Sequence, residues 1–103
     1  MSQKRELQMK EIIAHMAGEF LARNAGRQSL VTVTHAQPTA DLKNITVFIS
    51  VLPASAEKAA LDFCKRERSA FREYLKEKSA LQHLPTIDFA LDMGEKTANA
   101  LMI

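Results

Sequence analysis

Between Lys65 and Lys78 six basic residues, Lys65, Arg66, Arg68, Arg72, Lys76 and Lys78, stand against three acids, Glu67, Glu73 and Glu77. Lysine and arginine at this density can neutralise phosphates, and arginine can also stack on unpaired bases. The chemistry open to this stretch is therefore recognition of a nucleic-acid backbone. Its competitor is a solvated helix face, because Glu73 and Lys76 have the spacing of an ordinary helix pair. Arg66, Arg68 and Arg72 are the stronger binding candidates, while Lys76 and Lys78 could serve solubility alone. Lys4 and Arg5 supply either a second contact or only a charged helix start.

The other reactive residue types do not assemble into a motif. His15, His35 and His83 lack metal-ligand spacing, so no metal site is expected. His15 lies beside an apolar helical stripe and reads as a packed or boundary residue. His35 ends a strand, and His83 is an exposed residue that could stack on a base. Cys64 is the sole cysteine, excludes an internal disulfide, and reads as a small core residue. Asp88 and Asp92 share one side of a strand, where they form its polar face more readily than an acid–base pair. Phe48 is either core or a stacking platform, with core favoured. No catalytic motif is present, so an enzyme is not expected, nor is a cofactor.

The elements that must carry these residues follow from periodicity. Met9, Ile12, Ile13, Met16, Phe20 and Leu21 recur at helical spacing, giving a helix of about 20 residues stopped by Asn24 and Gly26. Gly18 inside it suggests close packing. Leu30 to His35 alternates and is β-branched, a strand; Gln37 to Asn44 is a loop. Ile45 to Leu52 is the strongest strand signal, ended by Pro53. These two strands pair as a long-looped hairpin. Ala54 to Leu84 contains no glycine or proline, which suggests one long helix capped by Ser55. The apolar stripe disagrees: on a straight helix Glu67 and Arg68 would fall on core positions and bury charges. A kink between Glu67 and Ser69, with Ser69 capping the second piece, removes the conflict. Thr86 to Asp92 alternates with Ile87, Phe89 and Leu91 inward, a third strand ended by Gly94. Glu95 to Ile103 is a short tail.

The order is α-β-β-α-(kink)-α-β, and a three-stranded sheet with helices on one face is the economical α+β arrangement for these stripes. With 103 residues and 47% hydrophobic composition the chain has material for one domain with a real core. The net charge of +2 does not by itself require a nucleic-acid partner; the basic element against the acidic stretch Asp88 to Glu95 is more informative. No apolar run approaches the ~20 residues of a membrane span, and no secretory signal is legible. A cytoplasmic protein without a membrane partner is expected.

Several segments together resemble the ribosome-binding factor A family over nearly the whole chain. Val31-Thr32-Val33-Thr34-His35, Asp41-Leu42 and Val47-Phe48-Ile49-Ser50-Val51-Leu52 are similar to its first strand, Asp-Leu loop and second strand. Phe71-Arg72 with Leu75 resembles its hydrophobic-Arg step. Leu81, Pro85, Ile87, Phe89 and Asp92 resemble its last strand. The resemblance implies a single type II KH-like domain over residues 1–103, with 95–103 as tail. In the family a helix–kink–helix with an Ala-x-Gly step replaces the KH loop. Here Glu67 stands for the alanine, Ser69 for the glycine, and Gln82 for a frequent arginine. What the resemblance implies further is a monomeric, non-enzymatic assembly factor. It would bind the small (30S) ribosomal subunit and 16S rRNA, aid rRNA maturation and support growth in the cold. With the resemblance favouring binding over a solvated face, the candidate RNA contacts on the basic stretch are Lys65, Arg66, Arg68, Ser69, Arg72 and Lys76. The alternative function is a protein-interaction module without RNA affinity, using strand Thr86 to Asp92 for edge addition.

Overall fold

The computed structural model describes residues 2–24, 29–81 and 83–93. The expectations for Gly26, Gln82, Gly94 and the tail from Glu95 lie outside these residues.

Helix α1 (Ser2–Asn24) is followed by strands β1 (Leu30–Pro38) and β2 (Asn44–Leu52). A 3-10 turn (Ala54–Ala56) leads into α2 (Glu57–Arg66), α3 (Arg68–Lys78) and β3 (Thr86–Leu91). The sheet order is β1-β2-β3, with β1 antiparallel and β3 parallel to β2. A parallel neighbour needs a crossover of a dozen or more residues, and α2 with α3 provides it. Ile45, Val47, Ile49 and Val51 of β2 and Ile87 and Phe89 of β3 form the buried face of the sheet. The α1 stripe Met9, Ile13, Met16, Ala17, Phe20 and Leu21 closes over it. Among the described residues no charged side chain is buried, and no buried side-chain polar atom lacks a hydrogen bond.

The hairpin contains a β-bulge. Val33 pairs with Ile49 and His35 with Phe48, leaving Thr34 as the extra residue. Strand parity therefore flips: Val31 and Val33 turn inward before the bulge, Ala36 and Pro38 after it. His35 moves to the open face of the sheet and stacks on Phe48, ring centroids 4.6 Å apart and 11° from parallel. This corrects two expectations: β1 runs past His35 to Pro38, and Phe48 is a half-buried residue of the open face, not core.

The break between α2 and α3 falls at Glu67, within the expected interval. Glu67 adopts φ −92°, ψ 9° and donates its N–H to the carbonyls of Phe63 and Cys64. This is the bridge region, open to any side chain, so the break needs no glycine and no positive φ. The two expected caps are not used. Ser55 lies inside the 3-10 turn, because the Pro53 carbonyl takes the Ala56 N–H at 2.9 Å and starts the turn one residue early. Ser69 lies inside the first turn of α3, whose preceding residue is Glu67. Gly18 also differs from expectation: a Cβ there would meet nothing within 4 Å, so no close packing requires the glycine.

Candidate nucleic-acid interface

Each half of the interrupted helix is held by a narrow apolar strip. Ala60 and Cys64 are the buried residues of α2, Phe71 and Leu75 those of α3. Phe71 is fully buried, with ring centroids 5.3 Å from Phe20 of α1 and 5.9 Å from Phe89 of β3. Tyr74 packs on Phe20 at 5.5 Å and donates its hydroxyl to Glu19 at 3.2 Å. Phe71 and Leu75 face the core, so Arg72 and Lys76, one position after each, turn to the flank of that strip, and Arg68, four before Arg72, continues the same line at the start of the helix. Arg68, Arg72 and Lys76 accordingly form one exposed stripe at i, i+4 and i+8.

Lys65 and Arg66 occupy the last turn of α2, and Ser69 sits beside Arg68 in the first turn of α3. All six sequence-predicted contacts are exposed and lie on this helix–break–helix. They are not equally free. Arg68 donates Nη1–H to Asp88 at 3.1 Å and Nε–H to the Lys65 carbonyl at 2.9 Å. Lys65 Nζ lies 4.0 Å from the same Asp88 oxygen. Lys76 pairs with Glu73 at 3.8 Å, the ordinary helix pair its spacing suggested. Arg66 and Arg72 engage no acid and no hydrogen-bond acceptor among the described residues. The α3 N-terminus adds backbone N–H groups without helical acceptors and the positive end of its dipole, both favourable to an anion.

The remaining candidates resolve differently. His15 is exposed, with 74% of its side chain accessible, and meets Glu19 at 3.0 Å, so it is not a packed residue. Cys64 is buried, and burial pushes its thiol up to about 11, which suits a core residue and not a nucleophile. Asp88 lies on the polar side of edge strand β3, bound to Arg68, whereas Asp92 follows the last strand residue, Leu91, and lies 3.8 Å from His35. Among the described residues no group of three His, Cys, Asp or Glu side chains could hold a metal ion. No helix of the described residues is long and apolar enough to cross a membrane.

Two features escaped the sequence. Asp88 and Arg68 are 20 positions apart, and only the β3 alternation hinted that Asp88 faces outward. Arg5, Lys43 and His83, from three separate segments, rim an apolar groove of about 810 Å³ floored by Met9, Ile12 and Leu84. The loop shaping it is fixed by Asp41, whose carboxylate accepts from Thr39 Oγ1 at 2.6 Å and the Lys43 N–H at 3.0 Å. Those bonds, the Thr39 hydroxyl foremost, hold the Asp41 carboxyl below its usual range.

A basic helix break set on a sheet of this topology defines an α+β protein of the type II KH-like class. Its fold matches that of two solved structures. The Thermus thermophilus ribosome-binding factor A crystal structure gives a TM-score of 0.73 at 16% identity, covering 84% of this chain and 94% of that one. The solution structure of a Thermotoga maritima protein gives 0.72 at 22% identity, covering 87% and 89%. The chain belongs to the ribosome-binding factor A family, whose model matches residues 1–102. It is 33% identical over 91 residues to the Thermobifida fusca ribosome-binding factor A, covering 85% of this chain and 60% of the relative. The Salinispora tropica protein of the same name is 36% identical over 67 residues, 64% and 43% of the two chains. The chain thus spans three fifths or less of the length of these two curated relatives.

Proposed function

We propose that this protein is an RNA-binding assembly factor that docks on the small ribosomal subunit and assists late maturation of 16S rRNA. It acts as a cytoplasmic monomer without enzymatic activity, metal or cofactor. The observation that carries the RNA contact is the exposed set Lys65, Arg66, Arg68, Ser69, Arg72 and Lys76 around the break at Glu67. Family membership supplies the ribosome as partner. Arg66 and Arg72 are the principal phosphate contacts, since neither must leave an acid among the described residues first. Arg68 and Lys65 join after exchanging Asp88 for phosphate, and Ser69 offers a hydroxyl and its backbone N–H at the α3 N-terminus. Rigid packing of Phe71 and Phe89 presents the set as a fixed shape, which suits recognition of folded RNA by outline and charge.

The test is filter binding of 16S-derived RNA over a series of salt concentrations. Four phosphate contacts at about −0.7 each predict a slope of log K against log salt near −3, or roughly 50-fold weaker binding from 50 to 200 mM. Binding that ignores salt would refute the proposal. Self-association without RNA affinity would favour edge pairing through β3 instead.

A further inference from the structure

The acid at the helix break is placed as a ligand would be. Lys65 and Arg68 come from opposite sides of the break, and both reach the same oxygen, Oδ1 of Asp88. Arg68 is oriented for this by its second bond, Nε–H to the Lys65 carbonyl. Asp88 is likewise fixed, because Oδ1 also accepts the Phe89 N–H at 2.9 Å. The cluster stays open to solvent: the side chains of Lys65, Arg68 and Asp88 are 44%, 48% and 47% accessible. Carboxylate and phosphate oxygens make the same demand on a guanidinium and an ammonium, and both prefer charge-assisted bonds in this geometry.

We infer that the Lys65–Arg68 pair is a preformed phosphate subsite of the RNA interface, occupied in the free protein by the Asp88 carboxylate as an internal competitor. The inference rests on the proposed RNA contact and adds to it a residue that opposes binding. Asp88 and the Lys65 carbonyl hold Arg68 in place, so little side-chain freedom is lost when RNA arrives. Asp88 also lowers the net affinity, because phosphate must displace it. Exposed ion pairs of this kind contribute little, which sets the competition at about two- to five-fold in affinity.

The experiment measures the affinity of fluorescently labelled 16S-derived RNA by anisotropy at several salt concentrations. It compares wild type, Asp88→Asn, Arg68→Gln, the double variant and Arg66→Glu. Asparagine keeps the oxygen that accepts the Phe89 N–H and removes only the charge, so the strand is retained; thermal melts confirm folding. The expected result is about two- to five-fold tighter binding for Asp88→Asn, with a salt slope close to that of wild type, since the same cations meet phosphate in both complexes. The gain should shrink to near unity in the Arg68→Gln background. Asp88→Asn binding as wild type or weaker, with Arg66→Glu still impaired, would overturn the inference and leave the RNA contact standing. An equal gain with and without Arg68 would also overturn it, since a general charge effect then suffices. No salt-sensitive binding by wild type would overturn the functional proposal and the subsite together.

Discussion

Phe71→Ala isolates the packing that holds the basic stripe in place. The ring is fully buried and is the only side chain of α3 in aromatic contact with α1 and β3 together among the described residues. Truncating a buried phenylalanine costs about 3–5 kcal/mol through lost transfer energy and the cavity left behind. Loss of the pairs with Phe20 and Phe89 places this site toward the upper part of that range. A domain of this size has roughly 5–15 kcal/mol of stability in total, so the variant would lose about a fifth or more. At about 5 °C per kcal/mol, the melting temperature should fall by roughly 15–25 °C. Urea unfolding followed by circular dichroism measures the loss directly, with the m-value checking that the cooperativity is retained. Phe71→Leu, which keeps most of the apolar volume, should cost only about 1 kcal/mol. A loss below ~1 kcal/mol for Phe71→Ala would mean that α3 is anchored some other way and that the stripe is not rigidly presented.

The other predictions concern separate parts of the molecule. Gly18→Ala should stabilise by about 0.5–1 kcal/mol in urea titrations, because the added Cβ meets no neighbour and the helix gains propensity. Cys64 should resist iodoacetamide at pH 8 in the native state. Its thiol is raised in the folded protein from 9.0 to about 11, so its contribution is complete below the unfolded value and is lost as pH rises through that window; denaturation midpoints measured from pH 8 to 11 should fall faster in wild type than in Cys64→Ala. Thr39→Val should move the Asp41 carboxyl back toward its ordinary value in an NMR titration. In wild type that loop contribution is present above the unfolded value and is lost as pH falls through the lowered folded one.

Much of the fold was legible because local pattern and tertiary need agree. Ile45, Val47, Ile49 and Val51 alternate in sequence and are the buried face of β2; Ile87 and Phe89 do the same in β3. The break at Glu67 was legible from a conflict, since a continuous helix would have turned Glu67 and Arg68 toward the core. Other features depend on partners distant in sequence. Parity in β1 changes at Thr34 through the register with β2, so His35 and Phe48 meet on the open face where no local rule places them. The caps failed because Pro53 and Glu67 close the turns with backbone carbonyls and N–H groups, leaving Ser55 and Ser69 without that task. In the candidate site, composition located the cations, while Asp88, which divides them into paired and unpaired, emerged only from the parallel docking of β3 beside β2.

Co-sedimentation with purified small ribosomal subunits tests the central claim most directly, comparing wild type with Arg66→Glu/Arg72→Glu from low to high salt. Both side chains are exposed and outside the apolar strips of their helices, so the double variant should melt within about 5 °C of wild type. The account predicts that wild type pellets with subunits at low salt, that salt releases it, and that the double variant stays in the supernatant throughout. Equal pelleting of both proteins would contradict the assignment of the helix break as the RNA-docking face.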